Sequence, residues 1–259
     1  MIEEVIDVKG KNLFVKFNNS LKNKPTIVFL HDSLGSIQLW RDFPEKLAEA
    51  TQCNVLLYDR LGYGKSFPMT THERENNYME LEADVLNDLL SELNINETIL
   101  FGHSDGGTIA SIAAAKYSEK IKAVICEAGH IFVEEITIKG VKEAFNTYNT
   151  TNLPERLKKY HGDKVDMIVK AWTEIWLSEK FRTWNVEYLL KNITSPLLFI
   201  QGENDEYGSL NQVEKTVSQV GGDAEKFIIP NVGHTPHKDS PEIVLNKSIE
   251  FINSIISSI

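Results

Sequence analysis

The chain alternates between short apolar runs and segments in which apolar residues recur at helical spacing. Continuous apolar runs at Thr26 to His31, Asn54 to Tyr58 and Ile121 to Cys126 predict strands that are buried on both faces of a sheet. Tyr78 to Leu93 carries leucine or valine at every fourth position, which predicts an amphipathic helix. Because strands alternate with helices, the pattern predicts an α/β protein with a mostly parallel sheet and helices on both faces.

The remaining segments extend this pattern towards both ends of the chain. Ile2 to Val8 and Asn12 to Phe17 alternate around Lys9-Gly10-Lys11, which predicts an antiparallel hairpin at a sheet edge. Helices are also predicted at Leu39 to Ala50, Leu210 to Val220 and Pro241 to Ile256. Two further strands are predicted at Pro196 to Gln201 and Lys226 to Ile229.

The regular alternation stops in the middle of the chain. From Ile131 to about Leu190 no strand is evident, and aromatic residues recur at helical spacing. We therefore predict a helical cap of residues 131–190, inserted into a core made of residues 1–130 and 191–259. Trp172 and Trp176 lie one helical turn apart, so one helix face could line a substrate pocket, although at least one of them is expected to pack inside the cap.

One stretch combines a strand, a sharp turn and a helix. Thr98 to Phe101 is apolar, Gly102-His103-Ser104-Asp105-Gly106 follows, and a helix rich in small residues is predicted from Thr108 to Tyr117. This order matches the G-x-S-x-G turn that presents a nucleophilic serine. The two glycines lack the Cβ atoms that would collide in so tight a corner. The helix that follows points its N-terminal amides towards a developing oxyanion.

A serine needs a base to take its proton, and the base needs an acceptor that orients it. Two later loops, each directly after a predicted strand, supply Asp205 and His234. The order Ser104, Asp205, His234 is the one expected of α/β-hydrolases and differs from both protease arrangements. Glu206 could take the place of Asp205, and His103 is expected at the edge of the site together with His237.

Composition restricts the partners of the protein. The 259 residues carry a formal charge of −10 and contain no block of lysine and arginine, which argues against a nucleic-acid partner. The sequence lacks the pattern of a signal peptide and has no run long enough for a membrane span, so a cytoplasmic protein without a membrane partner is expected. Cys53 and Cys126 are expected to be buried free thiols. We expect no metal and no cofactor, and the oligomeric state stays open.

At this point the sequence resembles the α/β-hydrolase superfamily over nearly its whole length. The residues that carry the resemblance are His31 with Gly35, Asp59 to Ser66, Gly102 to Gly107, Gly202 with Asp205, and Gly233-His234 with Pro236 and Pro241. The resemblance implies that Ser104 is the nucleophile, His234 the general base and acid, and Asp205 the orienting carboxylate. It also implies an oxyanion hole made by the amides of Ser33 and Asp105.

The resemblance also implies a role for the glycine-rich turn from Asp59 to Ser66. That turn lacks the spacing of a phosphate-binding loop. It is a structural signature of the superfamily, so Arg60 and Lys65 are expected to hold the turn and not to bind substrate.

A narrower resemblance, to the valacyclovirase and biphenyl-hydrolase-like hydrolases, rests on Gly-x-Ser-Asp-Gly-Gly and on residues 112–117. It implies a substrate amine beside Asp105. The chain departs from the superfamily at Asp32, where many relatives have glycine. Asp32 could stabilise its own turn, or it could bind substrate, and with Asp105 it would then favour a cationic group.

Together these features predict a serine hydrolase that cleaves a small ester, thioester or amide through an acyl-enzyme, with an aminoacyl ester as one possible substrate. One alternative is a non-catalytic protein of the same fold that binds a ligand. Another is the same triad used for acyl transfer, hydrolysis of a carbon–carbon bond, or perhydrolysis.

Overall fold

A computed structural model describes residues 1–257 and shows a central sheet with helices on both faces. Within these residues the sheet has eight strands in the order β1-β2-β4-β3-β5-β6-β7-β8. β1 and β2 form an antiparallel hairpin, β2 is antiparallel to β4, and all other neighbours are parallel. The strands are β1 Ile2–Val8, β2 Lys11–Asn18, β3 Thr26–Leu30, β4 Asn54–Tyr58, β5 Thr98–His103, β6 Ile121–Glu127, β7 Leu197–Gly202 and β8 Ala224–Ile229.

Residues 1–257 also form ten α-helices and three short 3-10 helices. The α-helices are α1 Phe43–Thr51, α2 Tyr78–Glu92, α3 Asp105–Lys116, α4 Glu135–Thr150, α5 Leu153–His161, α6 Val165–Leu177, α7 Glu187–Leu190, α8 Leu210–Gln219, α9 Pro236–Asp239 and α10 Pro241–Ile256. The 3-10 helices are Ile37–Trp40, Gly162–Lys164 and Glu179–Phe181. No helix in the described residues is both long enough and apolar enough to cross a membrane.

The two faces of the sheet bury separate apolar clusters. One face packs against α1 and α10 and includes Phe29, whose ring stacks on that of Phe101 at 5.2 Å between centroids. The other face packs against α2, α3 and α8 and continues into the segment between β6 and β7. The predicted α/β architecture, a mostly parallel sheet covered on both faces, is therefore confirmed.

The segment of residues 131–190, which we call the cap segment, contains α4 to α7. Its aromatic residues pack against one another, with ring centroids 5.1 Å apart for Trp176 and Phe181 and 5.9 Å apart for Trp176 and Trp184. These rings belong to the same apolar cluster as the face of the sheet beneath them. Through this cluster the cap segment packs against the rest of the chain.

Three predicted helices differ in detail from the structure. The predicted helix at Leu39 to Ala50 is interrupted, because Arg41 has a φ of 55° and α1 begins only at Phe43. In α2 the predicted Leu89 is buried, but so are Ala83, Leu86 and Leu90, whereas Leu81 is 49% exposed, so the buried face coincides only in part with the predicted stripe.

The third difference concerns α3, which begins at Asp105 and not at Thr108. Gly106 and Gly107 are therefore helical despite their low helix propensity, because close packing overrides that preference. A Cβ atom on Gly106 would lie 2.0 Å from the carbonyl oxygen of Leu30 in β3, and one on Gly102 would lie 2.1 Å from the carbonyl oxygen of Gly106. Backbone meets backbone at both positions, so only glycine fits.

We predict that Gly106→Ala destabilises the protein far more than Gly10→Ala. Gly106 has no room for a methyl group, and overpacking of this kind costs about 3 kcal/mol. Gly10 has a φ of 83° but nothing within 4 Å of its added Cβ, so alanine there pays about 1 kcal/mol for the backbone conformation alone. Urea unfolding of both variants measures the difference, and equal losses would contradict the close-packing explanation.

Candidate active site

The backbone of Ser104 has an unusual conformation at the junction of β5 and α3. Its φ of 55° and ψ of −122° fall in a region that residues with a side chain rarely occupy. The amide of Ser104 donates to the carbonyl oxygen of Glu127 at 2.8 Å, which fixes the turn against β6. The sequence-based prediction of a sharp turn between strand and helix agrees with this geometry.

The structure brings Ser104, His234 and Asp205 together. His234 Nε2 lies 2.9 Å from Ser104 Oγ, and His234 Nδ1 lies 2.9 Å from each carboxylate oxygen of Asp205. Since an ionised carboxylate can only accept, Nδ1 carries the proton and Nε2 accepts from the serine hydroxyl. His234 follows β8 and Asp205 follows β7, so two neighbouring strand ends supply the pair.

Further hydrogen bonds hold the Asp205 carboxylate in its ionised form. It accepts from the amides of Tyr207 and Gly208 at 2.8 and 3.1 Å, and from Gln201 Nε2 at 2.9 Å. Burial raises the pKa of Asp205, but attraction and hydrogen bonding to His234 outweigh burial, so the net pKa lies below its ordinary value.

The pKa of His234 shifts in the opposite direction. Burial lowers it, whereas the charge and hydrogen bond of Asp205, with smaller contributions from Glu206 and Asp32, raise it, so that the net pKa lies above the ordinary value. Glu206, the alternative to Asp205, is exposed and accepts from the backbone amide of His234 at 3.2 Å. Of these two carboxylates, therefore, Asp205 binds the imidazole ring.

Ser33 and Asp105 line the same cavity as Ser104, and both are buried. Asp105 is the first residue of α3, where amide groups have no acceptor within the helix and the helix dipole is positive. Within residues 1–257, neither the amide of Ser33 nor that of Asp105 has a hydrogen-bond acceptor. Both amides are therefore free to bind a ligand oxygen beside Ser104.

A cavity of about 230 Å³ opens at Ser104. Asp32, Trp172 and Trp176, the three residues predicted to contact substrate, all line it. Sequence reasoning did not identify two further lining residues, His130 and Tyr207. His130 Nε2 lies 3.1 Å from the carbonyl oxygen of Tyr207, and the ring of Tyr207 lies 4.6 Å from that of His234.

The carboxylates of Asp32 and Asp105 flank this cavity but differ in their surroundings. Asp105 Oδ2 accepts from the hydroxyl of Tyr78 at 3.1 Å and lies 3.7 Å from Arg60 Nη1. Asp32 Oδ1 lies 4.0 Å from His103 Nδ1, and its side chain is 27% exposed. Asp32 does not have a positive φ, so backbone conformation does not account for aspartate at that position.

A buried cluster behind the site was not evident from sequence spacing, because its three residues come from separate segments. His237 donates its backbone amide to Glu127 Oε1 at 2.7 Å, and His237 Nδ1 lies 2.6 Å from Glu127 Oε2. His103 Nε2 lies 2.8 Å from the carbonyl oxygen of His234. These contacts hold the backbone on both sides of the His234 loop.

The same three side chains are the candidate metal ligands within residues 1–257, with ligand atoms within 4.8 Å of one another. The 2.6 Å contact between His237 and Glu127 is a hydrogen-bond distance. Two ligands bound tetrahedrally at about 2.0 Å lie about 3.3 Å apart, so the arrangement fits a hydrogen-bonded pair better than a metal centre.

We predict that Glu127→Gln lowers the free energy of unfolding by about 3 kcal/mol, since it breaks a buried, hydrogen-bonded pair with His237. Its matched control is Glu97→Gln, which removes the exposed pair of Glu97 with Lys122 and should cost less than about 1 kcal/mol. Thermal and urea unfolding test both. A Glu127→Gln protein as stable as the control would show that the pair does not hold the His234 loop.

Comparisons with known proteins concern the fold and the family of the chain. Residues 25–153 match the family described as alpha/beta hydrolase fold. A putative esterase/lipase from Haemophilus influenzae is 26% identical over 89% of this chain and 84% of its own length. A 2-hydroxy-6-oxononadienedioate/2-hydroxy-6-oxononatrienedioate hydrolase from Klebsiella pneumoniae is 23% identical over 93% of each chain. The enol-lactonase from Burkholderia xenovorans superposes with a TM-score of 0.77 at 17% identity, over 96% of this chain and 99% of its own. The chain belongs to the α/β-hydrolase superfamily.

Proposed function

We propose that this protein is a serine hydrolase that cleaves a small ester, thioester or amide through an acyl-enzyme intermediate. The observation that carries the proposal is the continuous hydrogen-bonded chain from Ser104 through His234 to Asp205, with 2.9 Å at each step. Ser104 is the nucleophile, His234 the base and acid, and Asp205 the orienting carboxylate. The amides of Ser33 and Asp105 form the oxyanion hole.

The reaction follows from these positions. Ser104 Oγ attacks the substrate carbonyl while His234 Nε2 takes its proton, and the carbonyl oxygen becomes an oxyanion bound by the two free amides. His234 then gives the proton to the leaving group, which departs and leaves an acyl-enzyme. Water, deprotonated by His234, attacks the acyl carbonyl in the same way and releases the acid.

The cavity supports a small substrate. Its volume of about 230 Å³ is bounded on the cap side by Val141, Trp172 and Trp176, which suits an apolar acyl or leaving group. An aminoacyl ester would place its ammonium group near Asp32, whose side chain is partly exposed and has no hydrogen bond within residues 1–257.

Relatives named as esterases or lipases support ester hydrolysis, and a relative named for a dioate substrate keeps carbon–carbon bond hydrolysis as an alternative. Acyl transfer, perhydrolysis and ligand binding without catalysis stay alternatives as well. The cytoplasmic location stays a prediction, as do a small-molecule partner and a reaction without a cofactor.

We expect Ser104→Ala and His234→Ala each to lower kcat for a p-nitrophenyl ester of a short acid by at least about 1000-fold. Nucleophile and base act as one unit, so the double variant should be about as slow as either single variant. Labelling with a fluorophosphonate should modify Ser104 in the wild type and fail in Ser104→Ala. Near-normal hydrolysis by Ser104→Ala would exclude the serine-hydrolase proposal.

The pH dependence of kcat/KM tests the role of Asp205. His234 must be neutral to accept a proton, so activity falls as the pH drops through its raised pKa. Asp205→Asn removes the main interaction that raises this pKa. The acidic limb should therefore move to lower pH while the maximum falls by roughly 10²- to 10⁴-fold. Glu206→Gln, which leaves the bond to the imidazole ring intact, should shift the limb less, and an unmoved limb in Asp205→Asn would contradict the assignment.

A further inference from the structure

One buried cation, Arg60, contacts both the peptide group that carries the Ser33 amide and the side chain of Asp105. Arg60 follows β4 and its side chain is completely buried. We infer that Arg60 positions the two oxyanion-hole amides, and that the carboxylate of Asp105 serves as its counter-ion and not as a receptor for a substrate amine. The inference rests on the proposed hydrolase function and adds a positioning residue to it.

The first connection is to the peptide group that joins Asp32 to Ser33. Arg60 Nη2 donates to the carbonyl oxygen of Asp32 at 2.9 Å, and His31 Nδ1 lies 2.8 Å from the same oxygen. The backbone amide of Arg60 donates to His31 Nε2 at 3.1 Å, so the imidazole proton is on Nδ1, which therefore donates. The amide of Gly35 also donates to this oxygen, at 3.2 Å, so two of its three donors, including the two shorter contacts, depend on Arg60.

Because of the geometry of the peptide group, this contact also orients the amide of Ser33. In a trans peptide the carbonyl oxygen and the following N–H point in opposite directions. Holding the oxygen of Asp32 therefore also fixes the direction of the Ser33 N–H. Hydrogen bonds to a peptide carbonyl also polarise the group, which makes its N–H a better donor.

The second connection is to Asp105. Its carboxylate lies 3.7 Å from Arg60 Nη1 and accepts from the hydroxyl of Tyr78 at 3.1 Å. Tyr78 in turn accepts from Trp176 Nε1 at 3.0 Å, and the ring of Trp176 lines the cavity. Since the anchored side chain and the free amide belong to one residue, these contacts hold the first turn of α3 in place.

The charges explain why an acidic residue can follow the nucleophile. A lone carboxylate beside Ser104 would repel the developing oxyanion. The guanidinium of Arg60, 3.7 Å from the Asp105 carboxylate, offsets that charge. Arg60 Nε and Nη1 have no hydrogen-bond partner within residues 1–257, so the buried cation is only partly satisfied. Apolar side chains would serve stability alone equally well or better, which favours a role in the site.

The test compares wild type with Arg60→Lys, with the charge-neutral double variant Arg60→Met/Asp105→Asn, and with Tyr78→Phe. Lys65→Met is the matched control, because Lys65 lies in the same turn but its side chain is exposed and pairs with Glu3. For a neutral p-nitrophenyl ester, kcat should fall at least tenfold in the Arg60 variants, with KM within about threefold. The control should keep wild-type kcat.

Binding of a trifluoromethyl ketone separates positioning from structural support. Ser104 adds to this ketone, His234 takes the proton, and the hemiketal oxyanion occupies the hole. The matching non-fluorinated ketone, which binds without adding, reports the shape of the cavity. Arg60 variants should bind the trifluoromethyl ketone at least tenfold more weakly and the plain ketone unchanged, whereas a general loss of structure would weaken both.

A pair of substrates tests the role of Asp105. In Asp105→Asn, kcat/KM for phenylalanine ethyl ester and for its des-amino analogue should fall by similar factors, because a counter-ion does not distinguish them. A loss confined to the amino ester would overturn the inference, as would wild-type kcat in the Arg60 variants. If the Arg60 variants do not fold, the same comparison of the two ketones in Tyr78→Phe tests the inference. Hydrolysis by Ser104→Ala would instead refute the proposed function itself.

Discussion

The backbone of Ser104 is the constraint on which the rest of the site depends. A φ of 55° in a residue with a side chain is costly and persists only where surrounding contacts fix it. Here β3 approaches Gly106 so closely that no Cβ fits, and Glu127 accepts the Ser104 amide. The sheet therefore holds the strained turn from two sides, and that turn sets where α3 begins and where the hydroxyl points.

Three buried carboxylates surround this serine, and each has a different basic partner. Asp205 is matched by His234, Glu127 by His237, and Asp105 by the guanidinium of Arg60. Burying a carboxylate without a partner is strongly unfavourable, so these pairs must form together with the fold. In the mechanism that we propose these pairs have different roles. The first orients the base, the second holds the loop that carries the base, and the third supports the proposed oxyanion hole.

The sequence was sufficient to predict what depends on local pattern and order. Apolar runs predicted the strands, and the order of Ser104, Asp205 and His234 predicted which side chains meet, because carboxyl ends of parallel strands share one edge of the sheet. The start of α3, the full buried face of α2 and the cluster around Glu127 could not be predicted in this way. Each of these depends on contacts between segments that are far apart in the sequence.

Trp172 and Trp176 show what helical spacing can predict and what it cannot. They lie one turn apart in α6 and line the same cavity, yet their surroundings differ. Trp176 is 2% exposed, packs against Phe181, and donates its indole proton to Tyr78. Trp172 lies against the ring of Tyr207 at 6.3 Å. Spacing alone placed both on one face, but it could not predict their different ring partners or the hydrogen bond from Trp176 to Tyr78. This hydrogen bond connects Trp176, through Tyr78, to the carboxylate of Asp105. A substitution at Trp176 therefore changes both the contacts of Asp105 and the cavity wall, whereas a substitution at Trp172 changes the cavity wall alone.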